Sequence, residues 1–217
     1  RLSGGKILAI GAAEADAVIV TAHAGDGPAA FLLRREALPM KGYPTIDGRR
    51  AADIMLDDVT VEHDARLSVE AEDIAEILDL GAAGNAAEGA AIMKRLVFNT
   101  RDYCRQREQF GQSISSFQAV QHRLLDMHSE ARRAAAAAAL AADAFDLDAG
   151  RRARAISAAK VTIADAGRFI GQNAVQLHGG MGMTEELSVS ALFKRLTAIE
   201  SEYGTRDAHL ARYMSRA

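Results

Sequence analysis

The sequence predicts an α+β chain in which a partial, β-barrel-like sheet region precedes a C-terminal up-down bundle of four or five helices. Three observations predict it. All three prolines, Pro28, Pro39 and Pro44, and seven of the 18 glycines lie within the first 48 residues. Because proline and glycine punctuate turns and interrupt helices, short strands belong there and long helices after them. From residue 120 onward Val120, Leu124, Met127, Ala131, Ala134, Ala138, Ala141 and Phe145 recur at steps of four and three, the period of a helix buried along one stripe. Finally, the 45 alanines place small side chains on facing stripes, which lets helices approach at the short end of the ~8–10 Å range.

Taken in order, strands are expected at 6–10, 17–23 and 30–34, separated by Gly11 and Asp16 and then by Gly25-Asp26-Gly27-Pro28, as a meander. Gly42 to Pro44 and Asp47-Gly48 punctuate two more, at 40–46 and 51–59. Five strands with no closing partner read as a piece of a larger sheet, whose edge at Arg1 upstream residues or another chain would cover. A first helix is expected at 67–105 and a second at 116–147. The stripe Ile156, Ala159, Ile163, Ala166, Ile170, Ala174 and Leu177 resumes after a break at Asp148-Ala149-Gly150, making a helical hairpin. Shorter helices are expected at 185–197 and 204–214. Thr184 before Glu185 and Glu186 has the form of an N-cap with acidic residues in the first turn. Residues 1–64 then form the β region and 65–217 the bundle.

Composition excludes several classes. With 26 Lys plus Arg against 29 Asp plus Glu, a net charge of −3 and a pI near 6.1, the chain lacks the basic excess that nucleic acid demands. Its one cysteine, Cys104, forms neither an intrachain disulfide nor a cysteine-type metal site, and no metal is expected. No stretch approaches the ~18 apolar residues of a membrane span. Thiol usage fits a cytoplasmic setting, the expectation if the source is bacterial. The chain opens at Arg1 without an initiator Met, so a missing N-terminus and an illegible targeting signal are expected.

Two segments carry chemistry. Arg107-Glu108-Gln109-Phe110-Gly111 follows the end of the first long helix. Arginines near a helix end commonly serve the dipole, and Gly111 could be a plain stop. A guanidinium, an amide and an aromatic face within five residues also suit a diphosphate and an aromatic ring. The second segment, Gln176-Leu177-His178-Gly179-Gly180-Met181-Gly182, lies between two helices. It is not a Rossmann fingerprint, because it follows a helix and Glu185 stands in place of the third glycine. It reads equally as a cap with a loop or as a place where a ligand approaches the backbone. His178 and His122 read as helix-end and surface histidines, since no second ligand lies at metal spacing. No G-x-S-x-G run supports a hydrolase.

Together these segments resemble the acyl-CoA dehydrogenase family over nearly the whole chain. Ser3-Gly4-Gly5-Lys6 with Ala15-Asp16, and Asp47-Gly48 with the run to Val59, are similar to the family's central β domain. Arg107 to Gly111 with Phe117-Gln118, and Gln176 to Gly182, are similar to its two FAD-binding signatures, which reach across a subunit interface. The resemblance implies FAD as cofactor and gives cofactor-binding roles to Arg107, Gln109, Phe110, Gln118, Gln176, Gly179, Gly180 and Thr205. It also implies an acyl-CoA thioester substrate oxidised to the trans-2-enoyl-CoA, electron-transfer flavoprotein as acceptor, and a homo- or hetero-oligomer, a dimer of dimers. The family's N-terminal helical domain is absent from this chain. Phe193-Lys194-Arg195-Leu196-Thr197 and the ending Gly204-Thr205-Arg206-Asp207-Ala208-His209-Leu210-Ala211-Arg212 are similar to the branch that includes the small subunit of pimeloyl-CoA dehydrogenase.

The family removes an α proton with a carboxylate while the β hydride passes to the flavin. Here Tyr203 occupies the usual Glu position before Gly204-Thr205, and the alternative position on the first long helix falls at Gly81. The catalytic base is therefore unassigned, with Glu202, rotated into the site, and Asp79, one turn or less from Gly81, as candidate substitutes. Glu202 is one residue, about 100° of helix, out of phase. A phenol, with a reference pKa of ~10, is a poor base at neutral pH. The preferred reading is the non-catalytic subunit of a heteromeric dehydrogenase. A structural or interaction subunit that has lost FAD, and a flavin oxidase or monooxygenase of the same fold, are the alternatives.

Overall fold

The computed structural model describes residues 1–25 and 27–215; Asp26, expected in a turn, lies outside them. The chain divides into two compact units, Arg1–Ile77 and Leu78–Ala217.

In the first unit β1 (Leu2–Ile10), β2 (Ala17–Ala24), β3 (Gly27–Arg34), β4 (Met40–Pro44) and β5 (Arg50–Val59) form in the expected places. Their pairing is not a meander. β2 and β3 make an antiparallel hairpin that closes at Ala24 opposite Gly27. β1 pairs with β5, Lys6 opposite Ile54 and Ile10 opposite Ala51, and β5 pairs with β4. The reason lies in the connections. Two residues between β2 and β3 force a local hairpin. After β1, by contrast, Gly11 turns at φ 76° into a 3-10 turn over Ala12–Glu14. Its N–H reaches Arg50 O at 2.9 Å, which sends β1 to β5. Leu2, Val20, Leu33, Leu38, Ala52, Ile54 and Leu56 form the core of this unit.

The bundle comprises α1 (Ala71–Gln106), α2 (Gln118–Asp143), α3 (Ala149–His178), α4 (Ser188–Ser201) and α5 (Arg206–Met214). A two-residue-strand hairpin, β6 (Glu108–Gln109) and β7 (Gln112–Ser113), joins α1 to α2. The expected stripes are the buried ones. Met127, Ala131, Ala134 and Ala138 of α2 face Ile163, Ala166, Ile170 and Ala174 of α3, with Met93 and Leu96 of α1 and Leu196 and Ile199 of α4. Close approach shows at Gly89, where a Cβ would lie 2.8 Å from Ile163 Cγ2, and at Gly171, where one would lie 2.7 Å from Phe193 Cδ2. Asp148 starts α3 by accepting from Arg151 N at 3.0 Å, an N-cap that satisfies one of the free donors of the first turn.

One helix start differs from expectation. Thr184 does not cap α4. Its hydroxyl donates to Met181 O at 3.0 Å, closing a 3-10 turn over Gly179–Met183, and α4 begins four residues later at Ser188. Among the described residues no helix is long and apolar enough to cross a membrane.

Candidate functional site

The last turn of α1 leaves carbonyls without helical partners, and the sequence meets them with Ser113. Its hydroxyl faces Cys104 O at 2.9 Å and Arg105 O at 3.1 Å, while Arg107 N donates to Tyr103 O at 2.8 Å. The β6–β7 hairpin is thereby stitched onto the end of α1. Both residues of its turn have positive φ, Phe110 at 57° and Gly111 at 77°, as a type I′ hairpin requires. For phenylalanine that conformation costs roughly 1–3 kcal/mol. The residue is nevertheless 92% exposed, its ring set edge-on to that of Phe117 with centroids 6.1 Å apart. Arg107, Gln109 and Gln118 are exposed around it, Gln109 donating to Glu108 O at 2.7 Å.

The second segment ends α3. Gln176 is exposed in its last turn, and the three glycines divide the work. Gly179 has φ 59° and ψ −141°, and its N–H donates to Gln176 O, a conformation open to glycine alone. Gly182 packs back against the end of α3, since a Cβ there would lie 2.7 Å from Val175 O. Gly180 meets nothing within 4 Å. Gly179 also meets nothing within 4 Å, so the open backbone spans the cap residue and the one after it.

His178 joins the two segments. Its ring stacks on Tyr103 of α1, with centroids 4.3 Å apart, and the Tyr103 hydroxyl donates to His178 O at 3.3 Å. Nδ1 faces Ala174 O at 2.8 Å, and burial holds the imidazole below its ordinary pKa. The ring is thus a neutral helix-end group that pairs the end of α1 with the end of α3. Thr205 is not part of this cluster. It caps α5, accepting from Ala208 N at 3.3 Å. Its turn sits beside Lys160, sixteen residues of α3 before Gln176, or about 24 Å along the axis.

That turn forms a second site. Tyr203 has φ 54° and Gly204 φ 107°, and the Tyr203 ring lies directly on Gly81 of α1, where a Cβ would stand 2.2 Å from Cε1. The two positions at which the family resemblance looks for a base are one place, filled by a phenol that is 54% exposed. Both nearby carboxylates are engaged elsewhere. Glu202 accepts from Asn85 Nδ2 at 2.8 Å and from Arg195 at 2.7 and 3.0 Å, while Arg195 also grips Glu88. Asp79, its side chain 4% exposed, pairs with Arg212 at 2.5 Å and Arg152 at 3.7 Å.

Beneath the turn lies a group the sequence reading missed. Lys160, 1% exposed, donates to Asn85 Oδ1 at 2.7 Å, Ile199 O at 2.8 Å and Glu202 O at 2.7 Å. Burial pushes its amine down from 10.5 to about 8, more than the Glu202 carboxylate restores. Nearby, His209 Nε2 faces Tyr203 O at 2.9 Å and Nδ1 faces Ser157 Oγ at 3.3 Å; burial lowers its pKa as well. The signal was present, because Lys160 stands on the Ile156–Ile163 stripe, four residues after one isoleucine and three before the other.

The acyl-CoA dehydrogenase C-terminal domain model matches residues 72–217, and the chain belongs to the acyl-CoA dehydrogenase family. It is 29% identical over 176 residues to the 3-(aryl)acrylate reductase of Clostridium sporogenes, covering 79% of this chain and 45% of that protein. It is 34% identical over 119 residues to acyl-CoA dehydrogenase IpdE2 of Mycobacterium tuberculosis, covering 55% of this chain and 36% of that protein. Among solved structures, the ChsE4-ChsE5 complex of Mycobacterium tuberculosis matches with a TM-score of 0.92 at 25% identity, covering 99% of this chain and 59% of the other. The chain spans less than half the length of both curated relatives.

Proposed function

We propose that this chain is the cofactor-binding, non-catalytic subunit of a heteromeric FAD-dependent acyl-CoA dehydrogenase. The enzyme oxidises an acyl-CoA to the trans-2-enoyl-CoA and passes electrons to electron-transfer flavoprotein. Its C-terminal sequence is similar to the branch that includes the pimeloyl-CoA dehydrogenase small subunit. The observation that carries the proposal is the Tyr203 ring on Gly81, which leaves the base position of a family member without a carboxylate. The relative solved as a complex of two differently named chains supports a heteromer.

The residues of the α1–α3 end fit FAD. The Arg107 guanidinium makes no ion pair among the described residues and is exposed, as an anion ligand must be. Gln109, Gln118 and Gln176 add carboxamides, Phe110 offers an open aromatic face, and Gly180 leaves backbone approachable. Arg107 would bind the diphosphate by charge-assisted hydrogen bonds, Phe110 would pack an aromatic ring, and Gln176 with Gly180 would take the nucleotide end. Bound FAD would supply the hydride acceptor. In this subunit the place held by Tyr203 and Gly81 offers no carboxylate to take the α proton, so the base comes from the partner.

The test is to purify the full-length protein alone and with a homologous partner that carries the glutamate, and to record flavin absorbance before and after adding acyl-CoA. Flavin in the pair, bleached only there, is expected. Absence of flavin from both overturns the cofactor assignment; bleaching by this chain alone overturns the non-catalytic one.

A further inference from the structure

We propose that Lys160 is a positioning residue: it clamps the turn at 202–205 to α1 and so holds Tyr203 as a fixed plug over Gly81. The functional weight of the plug rests on the reading above, but the clamp does not.

Three oxygens around one ammonium make the clamp. Ile199 O and Glu202 O come from the end of α4 and the turn beyond it, and Asn85 Oδ1 comes from α1. Asn85 stands four residues after Gly81, on the same helical face. Its carboxamide is used at both ends, accepting from Lys160 and donating to Glu202 Oε2. Glu202, the neighbour of Tyr203, is thus tied to α1 through backbone and side chain, one helical turn from the place where the Tyr203 ring lands.

The far side of Tyr203 is pinned too. His209 Nε2 faces its carbonyl, and at Gly204 a Cβ would lie 2.9 Å from that same nitrogen. A tyrosine at φ 54° is unfavourable by itself and persists only where its surroundings over-determine it. Here they do. The Lys160 amine gathers two backbone carbonyls at the end of α4 and ties them to the Asn85 carboxamide, and a methionine in its place would fill the volume without gathering anything.

The experiment is a coupling measurement on the full chain by chemical denaturation, with Gly81→Ala made in wild-type, Tyr203→Ala and Lys160→Met backgrounds. In wild type, the new methyl group meets a ring that cannot move, and the folding equilibrium constant should fall about tenfold or more. With Tyr203→Ala the cost should vanish, alanine being the better helix former. With Lys160→Met the cost should drop below about threefold although Tyr203 remains, because the released turn yields. An equal cost in all three backgrounds overturns the plug, and an undiminished cost in Lys160→Met overturns the clamp.

Should Lys160→Met not fold, a nuclear Overhauser contact between the Tyr203 ring and the Gly81 α-protons serves instead. It should be strong in wild type and lost in Asn85→Ala. Its absence from wild type overturns the plug, and its persistence in Asn85→Ala overturns the clamp. Neither readout needs flavin or acyl-CoA, so failure here leaves the dehydrogenase reading standing, and absence of flavin leaves the clamp standing.

Discussion

Replacing Lys160 by methionine should cost the fold more at pH 10 than at pH 7. At pH 7 the lysine is charged in folded and unfolded chains alike. The substitution there removes three hydrogen bonds at 2.7–2.8 Å and relieves a buried charge, a net loss of about 2–3 kcal/mol. Above pH 8 the balance changes. The folded amine, held at about 8, releases its proton while the unfolded one keeps it up to 10.5. A depressed folded pKa contributes stability that is complete above about 10.5 and is lost as pH falls through about 8. At 1.36 kcal/mol per pH unit, wild type gains about 2.5 kcal/mol by pH 10 that the variant cannot gain. Urea denaturation of both proteins from pH 7 to pH 10, followed by circular dichroism, gives the difference directly and cancels other titrating groups. A gap that narrows with pH would refute the reasoning, since it would mean that the surrounding oxygens outweigh burial and raise the pKa instead.

Phe110→Asn should raise stability by about 1 kcal/mol, because asparagine tolerates the left-handed conformation and no buried surface is lost; flavin content per chain, read by absorbance, should fall. Ile163→Ala removes three buried carbons worth roughly 0.8 kcal/mol each and adds a cavity term, about 4 kcal/mol in all. Gly89 opposite it has no side chain to fill the space, so a loss below about 2 kcal/mol on denaturation would show unexpected collapse. The Cys104 thiol is fully buried and pushed up by burial to about 11. A disulfide reagent at pH 8 should label it only at the rate of unfolding, and rapid labelling of the native chain would contradict the packing.

What the sequence made legible follows from period and punctuation. The α2 and α3 stripes are strict repeats whose register survives packing, so Met127 through Ala141 and Ile156 through Ala174 are buried as read. The five strands were bounded by glycine and proline, yet pairing depends on connection length, and the six residues between β1 and β2 left β1 free to seek β5. Thr184 looked like an N-cap because sequence cannot say which of two neighbouring turns a hydroxyl closes. At the sites, local spacing exposed Arg107 and the glycine loop. What joins them, the Tyr103–His178 stack, spans 75 residues and carries no local signature. The Lys160 network was hidden for the same reason, its partners lying on α1, on α4 and in the turn after α4.

The contact between Gly81 and Tyr203 also constrains how this lineage can change. A side chain of any size at position 81 collides with the tyrosine, so that position is closed to single substitutions until residue 203 shrinks or the clamp on its turn is released. Position 203, half open to solvent, has no such precondition. History therefore runs in a fixed order, and among descendants of this sequence a bulky residue at 81 should be found only in company with a small one at 203 or a change in the Lys160 clamp.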